Sequence, residues 1–330
     1  MSAPDETRGA GGPRAGAPVA AREPARSAAQ VLFAGLIDDA ALFPPASRDM
    51  DGALRDHALQ RRGPLGWALG RLVVPVSRLD ELTSRLAALP PGVRGGEPWR
   101  LAAIGALDPD ADARRVLEFN ARSAAARIRV DGLEVVAHSP REIDVSRRAV
   151  PRDLGLVIEL PRESWLAGDL RDLVRAVKAA DARAKLRTGG TRPGDVPEIA
   201  GLLRVLEECA GARLAFKATA GLHHAVRGVR ALTYEAASPR AALHGYLNVL
   251  LAAVSLWHGR DGGAVARLLH EEDPAAFRFS PDAIAWRSLR FEAAQIAEAR
   301  REFATAIGSC SFTEPVAEIE AMGVDLAEPR

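Results

Sequence analysis

The chain has 330 residues, and 48% of them are hydrophobic, which is enough to bury a large core. Its 44 basic and 43 acidic residues nearly balance, so the formal net charge is +1. This balance gives no electrostatic reason to expect binding to nucleic acid or to a membrane surface. The sequence contains two cysteines, so neither a disulfide framework nor a thiolate zinc site is expected.

The first 27 residues are rich in Ala, Gly, Pro and Arg and have no apolar period, which predicts a disordered tail over 1–27. They also lack the basic start and apolar segment of a secretory signal. The longest strongly apolar stretch, Leu247–Trp257, has 11 residues and is too short to cross a bilayer. A cytoplasmic location is therefore expected.

Short apolar runs separated by helical patterns follow the tail. Most of the runs are continuously apolar, which is typical of parallel strands that are covered on both faces. In chain order the runs are 31–38, 71–77, 99–107, 128–137, 154–160, 183–188, 213–219 and 303–309.

Clear start signals precede several of the predicted helices. Asp108 is followed by Pro109, while Ser139 is followed by Pro140 and, three residues on, by Glu142. Eight strand–helix units predict a single α/β domain over 28–330, a (β/α)8 TIM barrel, with an open doubly wound sheet as the alternative. About 80 residues separate the last two runs, which predicts a large helical insertion at 225–302 between strands 7 and 8.

Lysine is rare in this chain, which has 41 arginines but only three lysines, Lys178, Lys185 and Lys217. Arginine cannot replace an amine that has to lose its proton, so the lysines are candidates for amine chemistry. Lys185 and Lys217 each lie near the end of an apolar strand and are followed by threonine and glycine.

Along a strand, Lys185 and Arg187 share one face, as do Lys217 and Thr219. If that face is the barrel interior, two amines and a guanidinium meet at the catalytic end of the barrel. Like charges and burial then lower the pKa of Lys185 towards neutrality, as Schiff-base chemistry requires. The alternative is that both lysines are strand-end residues paired with carboxylates.

The two lysine segments resemble class I aldolases of the deoxyribose-phosphate aldolase type. Lys185, Thr188 and Gly189 match the family's K-x-x-T-G on the sixth strand. The seventh-strand motif, K-A-x-G-G or a close variant, is matched by Lys217, Ala218 and Gly221. The resemblance implies that Lys185 forms the Schiff base, while Lys217 lowers its pKa and relays protons.

Three further segments resemble the same family. LIDDAALFPPA (36–46) resembles its L-I-D-H-T-x-L-x-P and implies that Asp38 is its aspartate, and DGLEVV (131–136) implies that Glu134 is its acid. GSCS (308–311) resembles its G-x-S-S phosphate loop. Ala220, the longer Glu134, Arg187 and the long insertion depart from the family pattern. The R-T-G-G, F-K-A-T-A-G-L-H-H and G-S-C-S-F segments also resemble a group of bacterial proteins to which no activity is assigned.

A second set of residues is expected to bind the substrate or its phosphate, because they follow the strand ends. An ordinary Gly-Ser turn and a helix cap or salt bridge are the alternatives for some of them. Cys310 is either a nucleophile at a helix N-terminus or a small buried side chain. The expected binding residues are Thr188, Gly189, Gly190, Thr219, Gly221, His223, His224, His244, Glu159, Gly308, Ser309 and Ser311.

The predicted function is a Schiff-base carbon–carbon lyase that acts on a small carbonyl compound, with or without a phosphate group. Lys185, Lys217, Arg187, Glu134 and Asp38 are the predicted catalytic residues, and no cofactor or metal is expected. The expected partner is a small-molecule substrate, with neither nucleic acid nor membrane, and a homo-oligomer is left open.

Two alternative functions remain. One is a metal-dependent hydrolase or isomerase that uses His223 or His224, His244 and carboxylates. The other is a barrel that binds a phosphorylated metabolite without turnover.

Overall fold

The computed structural model describes residues 26–95, 98–106 and 108–326, so the predicted tail over 1–27 lies outside them except for Arg26 and Ser27. Eight parallel strands close into a barrel, which confirms the predicted (β/α)8 TIM-barrel class. The barrel strands are β1 (Ile37–Asp39), β2 (Leu69–Pro75), β3 (Trp99–Ile104), β4 (Ile128–Val136), β5 (Gly155–Glu159), β6 (Arg183–Arg187), β7 (Phe216–Thr219) and β13 (Ala304–Ser309).

Amphipathic helices cover the barrel because each buries an apolar stripe against the strands. Two of them begin where the sequence predicts. Asp108 caps the helix that starts at Pro109, and the Ser139 hydroxyl accepts a hydrogen bond from the Glu142 amide. The helices up to β7 are α1 (Ala28–Phe33), α2 (Met50–Arg62), α3 (Leu79–Ala88), α4 (Pro91–Arg94), α5 (Pro109–Ser123), α6 (Pro140–Ala149), α7 (Leu170–Ala179) and α8 (Ile199–Gly211).

The predicted strand over 31–38 is wrong except at its end, because residues 31–33 belong to α1 and residues 34–36 connect that helix to β1. Ser27 and Gln30 form a reciprocal capping box, with the Gln30 amide donating to the Ser27 hydroxyl at 3.2 Å and the Ser27 amide donating to the Gln30 side chain at 2.8 Å. This cap fixes the helix start at Ala28, three residues before the apolar run, so the helix extends into the run. Gly35, at φ +54°, then turns the chain into the short strand β1.

The segment between β7 and β13 forms helices and also five short strands, which the sequence pattern did not indicate. β8 and β9 form a hairpin, and β10, β11 and β12 form an antiparallel sheet. None of the described helices is long and apolar enough to span a membrane. The elements from β8 onward, apart from β13, are β8 (Gly228–Ala231), β9 (Arg240–Leu243), α9 (Tyr246–Trp257), α10 (Gly262–His270), β10 (Phe277–Phe279), β11 (Ala283–Trp286), β12 (Leu289–Glu292), α11 (Ala293–Glu302) and α12 (Thr313–Ala321).

Candidate active site

Five barrel strands contribute a charged side chain to one buried cluster. Asp38 comes from β1, Glu134 from β4, Glu159 from β5, Lys185 from β6 and Lys217 from β7. The parallel register pairs Glu159 with Lys185, and Lys185 with Lys217, on neighbouring strands. Glu159 is partly exposed, while the other four residues are buried. The structure thus brings together four of the five residues predicted to be catalytic, together with Glu159.

Glu134 links the two lysines. One of its carboxylate oxygens lies 2.9 Å from the Lys185 ammonium, and the other lies 2.8 Å from the Lys217 ammonium. Lys185 also lies 2.9 Å from a Glu159 oxygen, and Lys217 lies 2.6 Å from an Asp38 oxygen. The cluster is therefore a continuous chain of charge-assisted hydrogen bonds, with formal charges of three carboxylates and two ammonium groups.

The expected lowering of the Lys185 pKa is wrong. Burial alone would lower the pKa of Lys185, but Glu134 and Glu159 outweigh it and raise that pKa above its ordinary value. For Lys217, burial and the neighbouring Lys185 lower the pKa, while Asp38 and Glu134 together raise it. For each lysine, the two neighbouring carboxylates thus affect the pKa more than the one ammonium group nearby does.

The pKa of Glu134, the carboxylate that both lysines share, is shifted in the opposite direction. Burial alone would raise the pKa of Glu134, but the ammonium groups of Lys185 and Lys217 lower it to about 2. Glu134 is therefore ionised at neutral pH and acts as the anionic bridge of the cluster. This geometry agrees with the alternative that the lysines pair with carboxylates, and it also supplies proton acceptors in direct contact with Lys185.

A pocket of about 480 Å³ opens onto this cluster and is lined by Lys185, Lys217 and Glu134. Because Arg187, Thr219 and Gly308, at or next to the C-terminal ends of their strands, also line the pocket, it opens at the end of the barrel where TIM-barrel enzymes hold their active sites. The hairpin of β8 and β9 contributes further lining residues, which no sequence pattern indicated.

Three exposed arginines also line the pocket: Arg187 at the end of β6, and Arg230 and Arg240 on the hairpin. Arg187 does share the pocket with Lys185, as expected. However, its guanidinium donates a hydrogen bond to the Gly189 carbonyl at 3.2 Å, and its exposure lets solvent screen its charge. The arginines suit attraction of an anionic substrate better than control of the lysine.

The threonines and glycines that follow β6 and β7 have two different roles. Thr219 and Gly221 line the pocket, as does Gly190. Thr188 is buried instead, and its hydroxyl donates to the Ala220 carbonyl at 2.7 Å. A Cβ on Gly189 would lie 2.9 Å from the Gly221 Cα, so glycine here allows the two loops to meet.

The serine hydroxyl groups of the loop after β13 form hydrogen bonds within the loop and to the start of α12. Gly308 lines the pocket, but the Ser309 hydroxyl donates to the Ser311 carbonyl at 2.6 Å. The Ser311 hydroxyl accepts from the Glu314 amide at 3.2 Å at the start of α12. Glu314 also lines the pocket, and its negative charge disfavours a phosphate at this place. Phosphate binding by this loop stays a prediction.

The three predicted histidines point to different partners. His223 lies 3.0 Å from Glu314 and His224 lies 2.5 Å from Glu318, while His244 is buried against the Pro197 carbonyl at 2.8 Å. Among the residues that the structure describes, no three His, Cys, Asp or Glu side chains are grouped so that they could hold a metal ion. The geometry therefore gives no support to the metal-dependent alternative.

Comparison of the sequence with models of known protein families and with curated proteins gives no match.

Proposed function

We propose that the chain is a Schiff-base carbon–carbon lyase in which Lys185 attacks the carbonyl carbon of a small substrate. The observation that carries the proposal is the buried Lys185 amine in a pocket, 2.9 Å from Glu134 and 2.9 Å from Glu159. A buried lysine with proton acceptors in direct contact is the arrangement that imine formation needs. The resemblance to class I aldolases points to the same residue.

The raised pKa of Lys185 means that the resting amine is protonated, so the first step has to remove that proton. Glu159 is the better acceptor, because it is partly exposed and contacts Lys185, whereas Glu134 is shared with Lys217. The neutral amine then adds to the carbonyl carbon. Loss of water from the adduct leaves an iminium ion on Lys185.

Cleavage needs a base for the substrate hydroxyl and an electron sink. A carboxylate of the cluster, Glu134 or Asp38, takes the hydroxyl proton directly or through water. The carbon–carbon bond breaks, an aldehyde leaves, and the bonding pair passes to the iminium ion as an enamine. Lys217, held between Glu134 and Asp38, is placed to return a proton to the enamine carbon, and water then releases the second product.

The pocket also bears on the class of substrate. A volume of about 480 Å³ accommodates a small molecule, and Arg187, Arg230 and Arg240 add positive charge to its exposed lining. We therefore propose a small aldehyde or ketone that carries an acidic group, either a carboxylate or a phosphate.

A non-catalytic anion-binding barrel is the second candidate, and the charged state of both lysines favours it. Each ammonium group is, however, already paired with two carboxylates, so the cluster has a formal net negative charge. A cluster of that charge is better suited to moving protons than to holding an anion.

The test is to incubate the protein with small aldehydes and ketones, with and without an acidic group, and to reduce the mixture with borohydride. The intact mass is then measured. The proposal predicts a covalent adduct for at least one carbonyl compound, and its loss in Lys185→Arg, which keeps the charge but cannot form the imine. Lys178→Arg is the matched control, because Lys178 is exposed and bonds to the Arg213 carbonyl. Failure of every compound to label the wild type, or equal labelling of both variants, contradicts the proposal.

A further inference from the structure

Four side chains outside the lysine–carboxylate cluster meet in the same pocket. They come from four separate places: His223 after β7, Tyr234 from the loop of the hairpin, Cys310 after β13 and Glu314 from the first turn of α12. All four line the pocket. The proposed lyase reaction uses none of them, and no sequence pattern indicated that His223 contacts a cysteine 87 residues away.

The contacts of His223 fix the role of each ring nitrogen. Its Nδ1 lies 3.0 Å from a Glu314 carboxylate oxygen and 3.2 Å from the Ser309 hydroxyl. Because the Ser309 hydroxyl donates its own proton to the Ser311 carbonyl, its oxygen can accept from Nδ1. Two acceptors at Nδ1 place a proton there. The other nitrogen, Nε2, is 3.8 Å from the Cys310 sulfur and is the one that can exchange a proton with the thiol.

Glu314 is held from both sides. Its second oxygen accepts a hydrogen bond from the Tyr234 hydroxyl at 2.7 Å. Burial alone would raise the pKa of Glu314, but the hydrogen bonds from His223 and Tyr234 lower it. Burial lowers the pKa of His223, whereas Cys310 and Glu314 raise it to about 9. At neutral pH the His223 ring is therefore an imidazolium, and its Nε2 faces the Cys310 sulfur.

We propose that Cys310 is the nucleophile of a second reactive centre, with His223 as its proton acceptor and Glu314 as a positioning residue, and that this centre takes acyl groups from small esters or thioesters. The order sulfur, Nε2, Nδ1, carboxylate is the arrangement that activates a cysteine nucleophile. An acyl carbonyl is the suitable electrophile, because the imidazolium can then protonate a leaving group.

With an ester, the reaction starts from the neutral form of the His223 ring, whose fraction grows as the pH rises towards about 9. This ring takes the thiol proton at Nε2, and the Cys310 sulfur forms a bond to the acyl carbon while the bond from that carbon to the leaving oxygen breaks. The His223 ring gives its proton to that oxygen, and an alcohol leaves. Water, deprotonated by the same ring, then attacks the acyl-enzyme, so that a carboxylic acid is released and the thiol is restored.

The experiment uses p-nitrophenyl acetate as the probe with the intact chain. Release of p-nitrophenolate is followed with time, and samples quenched in acid are mapped by peptide mass spectrometry. We expect an acetyl group on Cys310, which lines the pocket and is 7% exposed, and none on Cys209, which is 0% exposed and lies outside the pocket. The acylation rate should be about 100-fold lower in His223→Gln. His138→Gln is the matched control, because His138 is exposed and lies after β4, and its rate should equal that of the wild type.

A separate measurement, the pH profile of acylation, tests the role of Glu314. Because this carboxylate raises the pKa of His223, Glu314→Gln should move the pH profile of acylation to lower pH, which a loss of stability alone does not do. Acetyl groups found only on lysines or at other places, or an unchanged rate in His223→Gln, overturn the proposal. Lys185→Arg should still be acetylated at Cys310, so failure of the lyase proposal and failure of this one are distinguishable.

Discussion

Replacing Glu134 by glutamine removes the carboxylate that bridges two buried ammonium groups. The bridge lowers the pKa of Glu134 from 4.5 to about 2, although burial opposes this, and a lowering of that size corresponds to about 3 kcal/mol. The glutamine side chain fits the same space but leaves Lys185 and Lys217 with one carboxylate each. We therefore expect the free energy of unfolding to fall by roughly 3–5 kcal/mol at pH 7.

Urea denaturation followed by circular dichroism measures this loss. Glu163→Gln is the matched control, because the Glu163 side chain is 75% exposed, and its change should stay within about 0.5 kcal/mol. Since the pKa of Glu134 is lowered in the folded state, its contribution is fully present above pH 4.5 and is lost as the pH falls towards 2. The difference in the free energy of unfolding between wild type and Glu134→Gln should therefore decrease as the pH falls over that range. Equal free energies of unfolding of the two proteins at pH 7 contradict a stabilising role of the Glu134 carboxylate.

Three further predictions concern the site and the insertion. Glu159→Gln removes a charge that raises the pKa of Lys185, so the rise of the lyase rate with pH should move to lower pH; an unmoved profile contradicts this. Arg187→Gln should raise KM for an acidic carbonyl compound about tenfold at low salt and less at high salt, whereas a neutral compound should show no change. Gly245→Ala should lower the thermal midpoint strongly, because its Cβ would lie 2.5 Å from the Val226 Cα. The control Gly194→Ala, with open space around it, should leave the midpoint in place, and similar midpoints for the two variants contradict the packing argument.

The barrel could be predicted because each doubly buried parallel strand is a continuous apolar run, and this pattern is local. The bounds of the first strand could not, since the helix capped by Ser27 and Gln30 extends into the start of its run, and a short apolar run alone does not distinguish a helix from a strand. The five strands of the insertion are short, and much of the hairpin is exposed, so they leave little hydrophobic pattern.

The members of the charged cluster could be predicted, but their pairing could not. Lys217 contacts Asp38 across 179 residues and Glu134 across 83 residues, so the neighbours of each amine depend on barrel closure. For this reason the expected shift of the Lys185 pKa has the wrong direction, although Glu134 and Glu159 are both among the predicted site residues. The contact between Cys310 and His223 could not be predicted either, because it too depends on how barrel closure brings distant parts of the chain together.

Peptide mapping of the wild-type protein after incubation with an acidic aldehyde or ketone and reduction with borohydride tests the proposed role of Lys185. The three lysines compete in one sample, so the reaction itself reports which amine forms the imine. We predict that the adduct lies on Lys185, and that its yield grows as the pH rises towards the raised pKa of this amine. An adduct on Lys178 or Lys217 instead, or no adduct at any pH, contradicts the proposal that Lys185 forms the imine.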